Sequence, residues 1–231
     1  MADEIGKRNA RLWQLDALRG LIMVLMALDH ANHFVAQQHS PGAYWGGPLP
    51  SYPTAGAFLT RLATHLCAPG FFFLMGIGII LFAESRRKLG WSEMAVTGHF
   101  LVRGALLMVL QLLVVNRAWE LSPGGWVPQI YVGVLFALGS AMMLAGAALR
   151  RLPPGYLAGL TVALFLATEL YTPAPGQWGG SVPVLEQVLL IPGGDAAVWV
   201  NYPVLPWLPY ATLGLLFGRW LVVDVRKAFE R

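Results

Sequence analysis

Six apolar stretches, each near the length of a bilayer crossing, dominate this sequence. They run over 17–35, 57–83, 100–119, 130–149, 156–171 and 202–223. A helix needs about 20 largely apolar residues to cross the hydrocarbon. Backbone groups in lipid have no water to bond, so such stretches are driven to be helical. The composition agrees: 56% of the 231 residues are hydrophobic and 12% are charged, with a mean hydropathy of +0.57. A soluble domain carries roughly a quarter charged residues. A soluble or disordered chain is therefore excluded. A disulfide scaffold is excluded as well, because Cys67 is the single cysteine. The expectation is an all-α integral membrane protein, a single domain over 1–231 built as a bundle of about six transmembrane helices.

Basic residues orient it. Lys7, Arg8, Arg11, Arg19, Arg86, Arg87, Lys88, Arg150, Arg151, Arg219, Arg226, Lys227 and Arg231 fall on one side of a six-span layout, 13 of the 16 Lys and Arg. The positive-inside rule makes that side, and both termini, cytoplasmic. The expected location is the cytoplasmic (inner) membrane, multi-pass. The N-terminal apolar run leads into Asp29, His30 and His33 without a small-residue cleavage site, so no cleavable signal is expected. The net charge of +4 sits in short clusters beside the spans, which argues against nucleic acid. The expected partners are the lipid bilayer and a homo-oligomer or larger membrane complex. Nine Trp residues near span ends suit an interfacial belt. The outer loops, 37–56, 121–129 and 172–201, are rich in Gly and Pro. Within the last, 182–191 is apolar enough to lie along the surface or fold back.

Ionisable groups within the spans are costly, by about 2.5–3.5 kcal/mol each on insertion scales, and so mark candidate sites. Asp29, His30 and His33 share one broad face at the outer end of span one. An Asp beside a His can fix the imidazole tautomer and raise its basicity; a wet helix end is the bland alternative. Arg19 lies eleven residues before His30, about three turns or 16 Å away on the same face. That span matches an extended pantetheine arm, so Arg19 is a candidate for CoA phosphates, or simply an inner anchor. Arg61 and His65 are one turn apart in span two, and Pro69 is expected to kink the helix just past His65. Gly70, Gly76 and Gly78 are expected to permit close helix packing. Arg103 is a second CoA contact or one half of a structural ion pair. Asn116, Arg117, Glu120, Gln129, Glu169, Asn201 and Tyr202 could close an outer pocket, or Arg117 and Glu120 could simply pair. His30 with His65 could in principle hold a haem or pigment. No HExxH or Cys pair supports zinc, and no metal is expected.

Four stretches carry a family resemblance: RLWQLDALRG from Arg11 to Gly20, continuing through LIMVLMALDHANHF; THLCAPGFFFLMG from Thr64 to Gly76; Arg103-Gly104 followed by LLVVNRAW; and NYPVLPW from Asn201 to Trp207. In this order they resemble the bacterial membrane proteins that carry the heparan-alpha-glucosaminide N-acetyltransferase catalytic domain, in a short version. The opening is also similar to membrane O-acyltransferases of bacterial surface sugars. The resemblance implies a membrane-embedded acyltransferase. Cytoplasmic acetyl-CoA would be the donor, and a sugar or amino sugar at the outer face the acceptor. His30 or His65, with Asp29, would be catalytic. Arg19 and Arg103 would bind the donor. His33, Arg61, Asn116, Glu120, Glu169 and Asn201 would line the acceptor pocket. The rival expectation is a non-catalytic relative, a small transmembrane subunit that binds lipid, quinone or pigment.

Overall fold

The computed structural model describes residues 12–36, 51–121, 130–171 and 182–229, with side chains described to 223. Gln129, His39, Lys7, Arg8, Arg11, Arg231, most of loops 37–56 and 121–129, and the first third of 172–201 lie outside the described residues; so do the side chains of Arg226 and Lys227. The chain is mostly helical. Helix α1 is Trp13–Phe34, α2 Ala55–Thr64, α3 Cys67–Lys88 and α4 Glu93–Leu110. A π-helical turn, Gln111–Val115, joins α4 to α5, Asn116–Glu120. Then come β1 Ile130–Val132, α6 Val134–Ala147, a 3-10 turn Leu149–Arg151 and α7 Pro154–Tyr171. The short α8 Val184–Leu189, strands β2 Gly193–Gly194 and β3 Val198–Val200, and α9 Val204–Phe229 complete it.

Three of the described helical stretches are long and apolar enough to cross a membrane: Ala55–Lys88, Glu93–Glu120 and Val134–Arg151. Helices α1, α7 and α9 occupy the other three predicted spans. Val102, Leu106 and Leu113 on the α4–α5 rod and Val162 and Leu166 on α7 are exposed. An outer surface this apolar suits lipid rather than water.

Local chemistry sets the boundaries. Thr54 caps α2 by accepting from the Ala57 N–H at 3.2 Å, and Ser92 caps α4 by accepting from Ala95 at 3.2 Å. Between α3 and α4, Gly90 adopts φ +80°, where a Cβ is disfavoured. There the Trp91 N–H reaches back to the Arg86 carbonyl at 3.1 Å and Gly90 to Arg87 at 3.0 Å, the paired bonds of a Schellman stop. The expected kink in span two is a break at His65–Leu66, between α2 and α3. Pro69 has no N–H to offer the His65 carbonyl four residues earlier, so the ladder fails there.

One expectation of helix is overturned. Ile130–Val132 is a strand and not the start of span four, so the fold is not purely α. It pairs in parallel with β3, which also pairs antiparallel with β2, in the order β1-β3-β2. Asp195 organises the turn between β2 and β3. Its Oδ1 accepts from Ala197 at 2.8 Å and Val198 at 3.0 Å. These N–H donors, Val198's first, hold its carboxyl below the ordinary carboxylate range.

Helix α9 runs against α3, α6 and α7, and α4 runs against α6. Glycines permit the closest crossings. A Cβ on Gly76 would stand 2.1 Å from the Ala211 carbonyl oxygen, and one on Gly214 2.1 Å from that of Phe73. Gly104 and Gly139 oppose each other in the same way between α4 and α6. Gly70 receives the Ile22 side chain of α1. Gly78 departs from the expectation: no helix crosses it closely, and a Cβ there would meet only Arg19, at 3.6 Å. The core between these helices holds Phe72, Ile79, Phe100, Ala137, Ala141, Leu208 and Leu215. In its middle, buried Thr161 donates to buried Thr212 at 2.8 Å and links α7 to α9.

At the basic end, Arg150 is buried and pairs with Glu93 at 2.7 Å, tying α6 to α4. Arg219 donates to the carbonyls of Leu152 at 2.6 Å and Arg150 at 2.5 Å, tying α9 to the end of α6. These residues, read from sequence as orientation markers, also stitch helix ends together.

Candidate active site

Helices α1 and α2 enclose a cavity of about 320 Å³ lined by Asp29, Asn32, Tyr52, Thr54, Thr60, Arg61 and Thr64, with Gly56 and Ala57 at its edge. Hydroxyls, an amide, a phenol and one ion pair face a space large enough for a monosaccharide-sized group. The pair is Arg61 Nη1 to Asp29 Oδ1 at 2.6 Å, with side chains 14% and 24% exposed. Its partners come from different helices, 32 residues apart. Asp29 therefore holds a guanidinium, which sequence reasoning had not paired with it, and its charge also acts on the His33 imidazole. Tyr202 and buried Cys67 lie within electrostatic reach of both charges.

The two catalytic candidates are not among the residues that line this cavity. His30 follows Asp29 and His65 follows Thr64, and both rings are exposed. Each Nδ1 lies against a carbonyl one helical turn back: His30 on Met26 at 2.8 Å, His65 on Arg61 at 2.7 Å. A carbonyl only accepts, so Nδ1 carries the proton in both rings. In the neutral ring the lone pair is then on Nε2. His33 packs instead among rings, 4.8 Å from Phe34 and 4.8 Å from Trp119. Trp119 leads on to Tyr131 at 5.6 Å.

The other candidates divide. Glu120 pairs with Arg117, the simpler of the two readings offered by their spacing. Glu169 is exposed near the end of α7, within reach of Tyr210 rather than in the cavity. Asn201 donates to the Tyr131 hydroxyl at 3.0 Å. Asn116 is buried and its amide fits the backbone of Tyr131 twice, donating to the carbonyl at 2.8 Å and accepting from the N–H at 3.0 Å. It thus serves as a short extra edge to β1. Gln111, which sequence reasoning missed, accepts from Leu135 at 3.2 Å and so caps the start of α6. The π turn is what aims both amides at this strand. Two amides on an apolar rod, five residues apart, were the available signal. Arg19, 45% exposed, donates to Asp16 at 3.2 Å at the far end of α1. Arg103 is exposed on α4 and forms no ion pair among the described residues. Among the described residues no cluster of His, Cys, Asp and Glu could hold a metal.

The profile of one family, heparan-alpha-glucosaminide N-acetyltransferase, catalytic, matches residues 11–231. The chain belongs to that family. The mouse heparan-alpha-glucosaminide N-acetyltransferase is 30% identical over 129 residues, 56% of this chain and 18% of the mouse protein. The human protein of the same name is 29% identical over 129 residues, 56% of this chain and 17% of its own length. The chain thus spans less than a fifth of these relatives. The family agrees with the resemblance carried by the four motifs.

Proposed function

We propose that this protein is a membrane-embedded acetyltransferase that moves an acetyl group from acetyl-CoA to the amine of a sugar. The observation that carries this reading is the polar cavity of Asp29 and Arg61, with His30 and His65 next in sequence to its lining residues Asp29 and Thr64, in a chain of this family. One imidazole, His30 or His65, takes the proton of the attacking amine. The nitrogen bonds the acetyl carbon, the carbon–sulfur bond breaks, and the sulfur leaves as the CoA thiol once protonated. Arg61, held by Asp29, offers positive charge to the oxygen that becomes negative during attack. Thr54, Thr60, Thr64 and Asn32 offer hydrogen bonds to sugar hydroxyls.

The same reading makes the chain a single transmembrane domain of six spans in the cytoplasmic membrane, both termini inside, with Arg19 and Arg103 on the donor side. Support for the orientation comes from the cross-linked basic end, where α3, α4, α6 and α9 bring Arg86–Lys88, Arg150, Arg151 and Arg219. Support for CoA at that end comes from Arg19: it is half-exposed and faces Gly78, which has no side chain to obstruct a phosphate. Assembly into a homo-oligomer or larger complex is part of the proposal.

Transfer of labelled acetyl from acetyl-CoA to glucosamine by the reconstituted protein tests it. His30→Ala or His65→Ala should lower the rate by about 10²–10⁴-fold, the usual effect of a positioned base. Rates within a few-fold of wild type in both variants would overturn histidine catalysis. Absence of CoA binding by the unmutated protein would leave the non-catalytic subunit as the better reading.

A further inference from the structure

The hairpin between α3 and α4 carries a group of charges of which the acetyl-transfer reading uses only Arg103, on its donor side, and leaves Arg86 and His99 unassigned. The Arg86 guanidinium lies over two rings at once, 4.9 Å from the Phe82 centroid and 5.2 Å from that of Trp91. His99 stacks on Phe82 at 4.2 Å with an interplanar angle of 13°. Arg103 follows His99 by one helical turn, and both Arg86 and Arg103 lie within electrostatic reach of that imidazole. The nearby carboxylates are engaged elsewhere. Glu84 holds Arg87 and Lys88, and Glu93 holds Arg150 and Arg151. Arg86 Nε is buried and has no hydrogen-bond partner among the described residues.

A buried guanidinium nitrogen without a partner is costly unless something supplies an acceptor. Stacking between Phe82 and Trp91 fixes the plane of Arg86. Two arginines and a histidine with no facing carboxylate among the described residues select an anion. The place selects which anion: Trp91 at the mouth of an apolar hairpin is where a bilayer's headgroups lie, and the acceptor geometry that suits a guanidinium fork is phosphate.

We infer that Arg86, His99 and Arg103, framed by Phe82 and Trp91, form a phosphate-ester site at the basic end of the α3–α4 hairpin. Its phosphate comes from an anionic lipid headgroup or from a soluble phosphate ester such as CoA. Two measurements separate the sources. Native mass spectrometry of protein released from nanodiscs of equimolar phosphatidylcholine and phosphatidylglycerol reads retained phosphatidylglycerol. Titration of CoA into nanodiscs of phosphatidylcholine alone reads the soluble ester. Arg86→Gln and Arg103→Gln should each weaken one of these by roughly tenfold, the loss of one charge-assisted hydrogen bond. Arg86→Lys should restore it only in part, because Lys lacks the fork. Loss of phosphatidylglycerol retention alone assigns the site to lipid, and loss of CoA affinity alone assigns it to the ester. Arg103 stands exposed on the helix, so Arg103→Gln decides the matter even if Arg86→Gln fails to fold. Wild-type values in both measurements for Arg103→Gln and Arg86→Gln would overturn the site. Both measurements read binding, so a protein that transfers no acetyl group can still pass or fail them.

Discussion

Breaking the Asp29–Arg61 pair should cost far more than breaking an ion pair on a protein surface. Exposed pairs couple by about 0–1 kcal/mol. Removing one partner of a fully buried pair costs about 3–5 kcal/mol, because the other charge is stranded. Here the side chains are 24% and 14% exposed and the contact is 2.6 Å, which is closer to the buried limit. Asp29→Asn should therefore lower stability by about 2–3 kcal/mol. Arg61→Gln should do the same. The double variant should cost less than the sum, with a coupling of about 2 kcal/mol, since it strands no charge. Steric trapping in bicelles or reversible unfolding in mixed micelles gives the three differences. A coupling under about 0.5 kcal/mol, the level at which independent sites already add, would refute the reasoning. It would mean that water screens the pair and that Asp29 does not hold Arg61 in place.

Gly76→Ala should lower the thermal midpoint strongly, by the equivalent of about 3 kcal/mol or more. Its new Cβ meets the Ala211 backbone at 2.1 Å and no side chain can yield; an unchanged midpoint would mean that α3 and α9 do not touch there. Asp195 is a matter of pH. Its folded carboxyl is held below the ordinary range, so its contribution to the β2–β3 turn is present above that range and fades as pH falls through it. Amide exchange at Ala197 and Val198 should be slower in wild type than in Asp195→Asn at neutral pH, and the two should converge in acid. Equal exchange at neutral pH would count against the turn.

The helices were legible because lipid imposes one demand, length of apolar run, that a single sequence displays directly. Pro69 likewise announced the break two helices would show at His65–Leu66. Ile130–Val132 was not legible. Three apolar residues before a glycine read as well for a helix as for a strand, and the partner that decides it, Val198–Val200, lies far along the chain. The site divides in the same way. That Asp29 and Arg61 were candidates was visible, because each is a charge in an apolar setting. That they meet was not, because spacing along one helix reports only neighbours on that helix. Asn116 misled for a related reason: a buried amide facing a substrate and one facing a strand look identical in sequence.

The π turn at Gln111–Val115 holds one residue more than an α-helix of the same rise would need. It behaves as an insertion that the rod has absorbed without breaking. Deleting one of residues 112–115 would let the helix close into regular α form with the faces beyond it left largely in place, whereas a deletion in the regular α4 stretch before it would turn them by about 100°. Asn116 would then swing off β1 and Trp119 off His33, though no contacting side chain had been altered. The wall between the α4–α5 rod and the end of α1 is therefore sensitive to the count of residues along α4, and the π turn is the place in that rod where a change of length should be best tolerated.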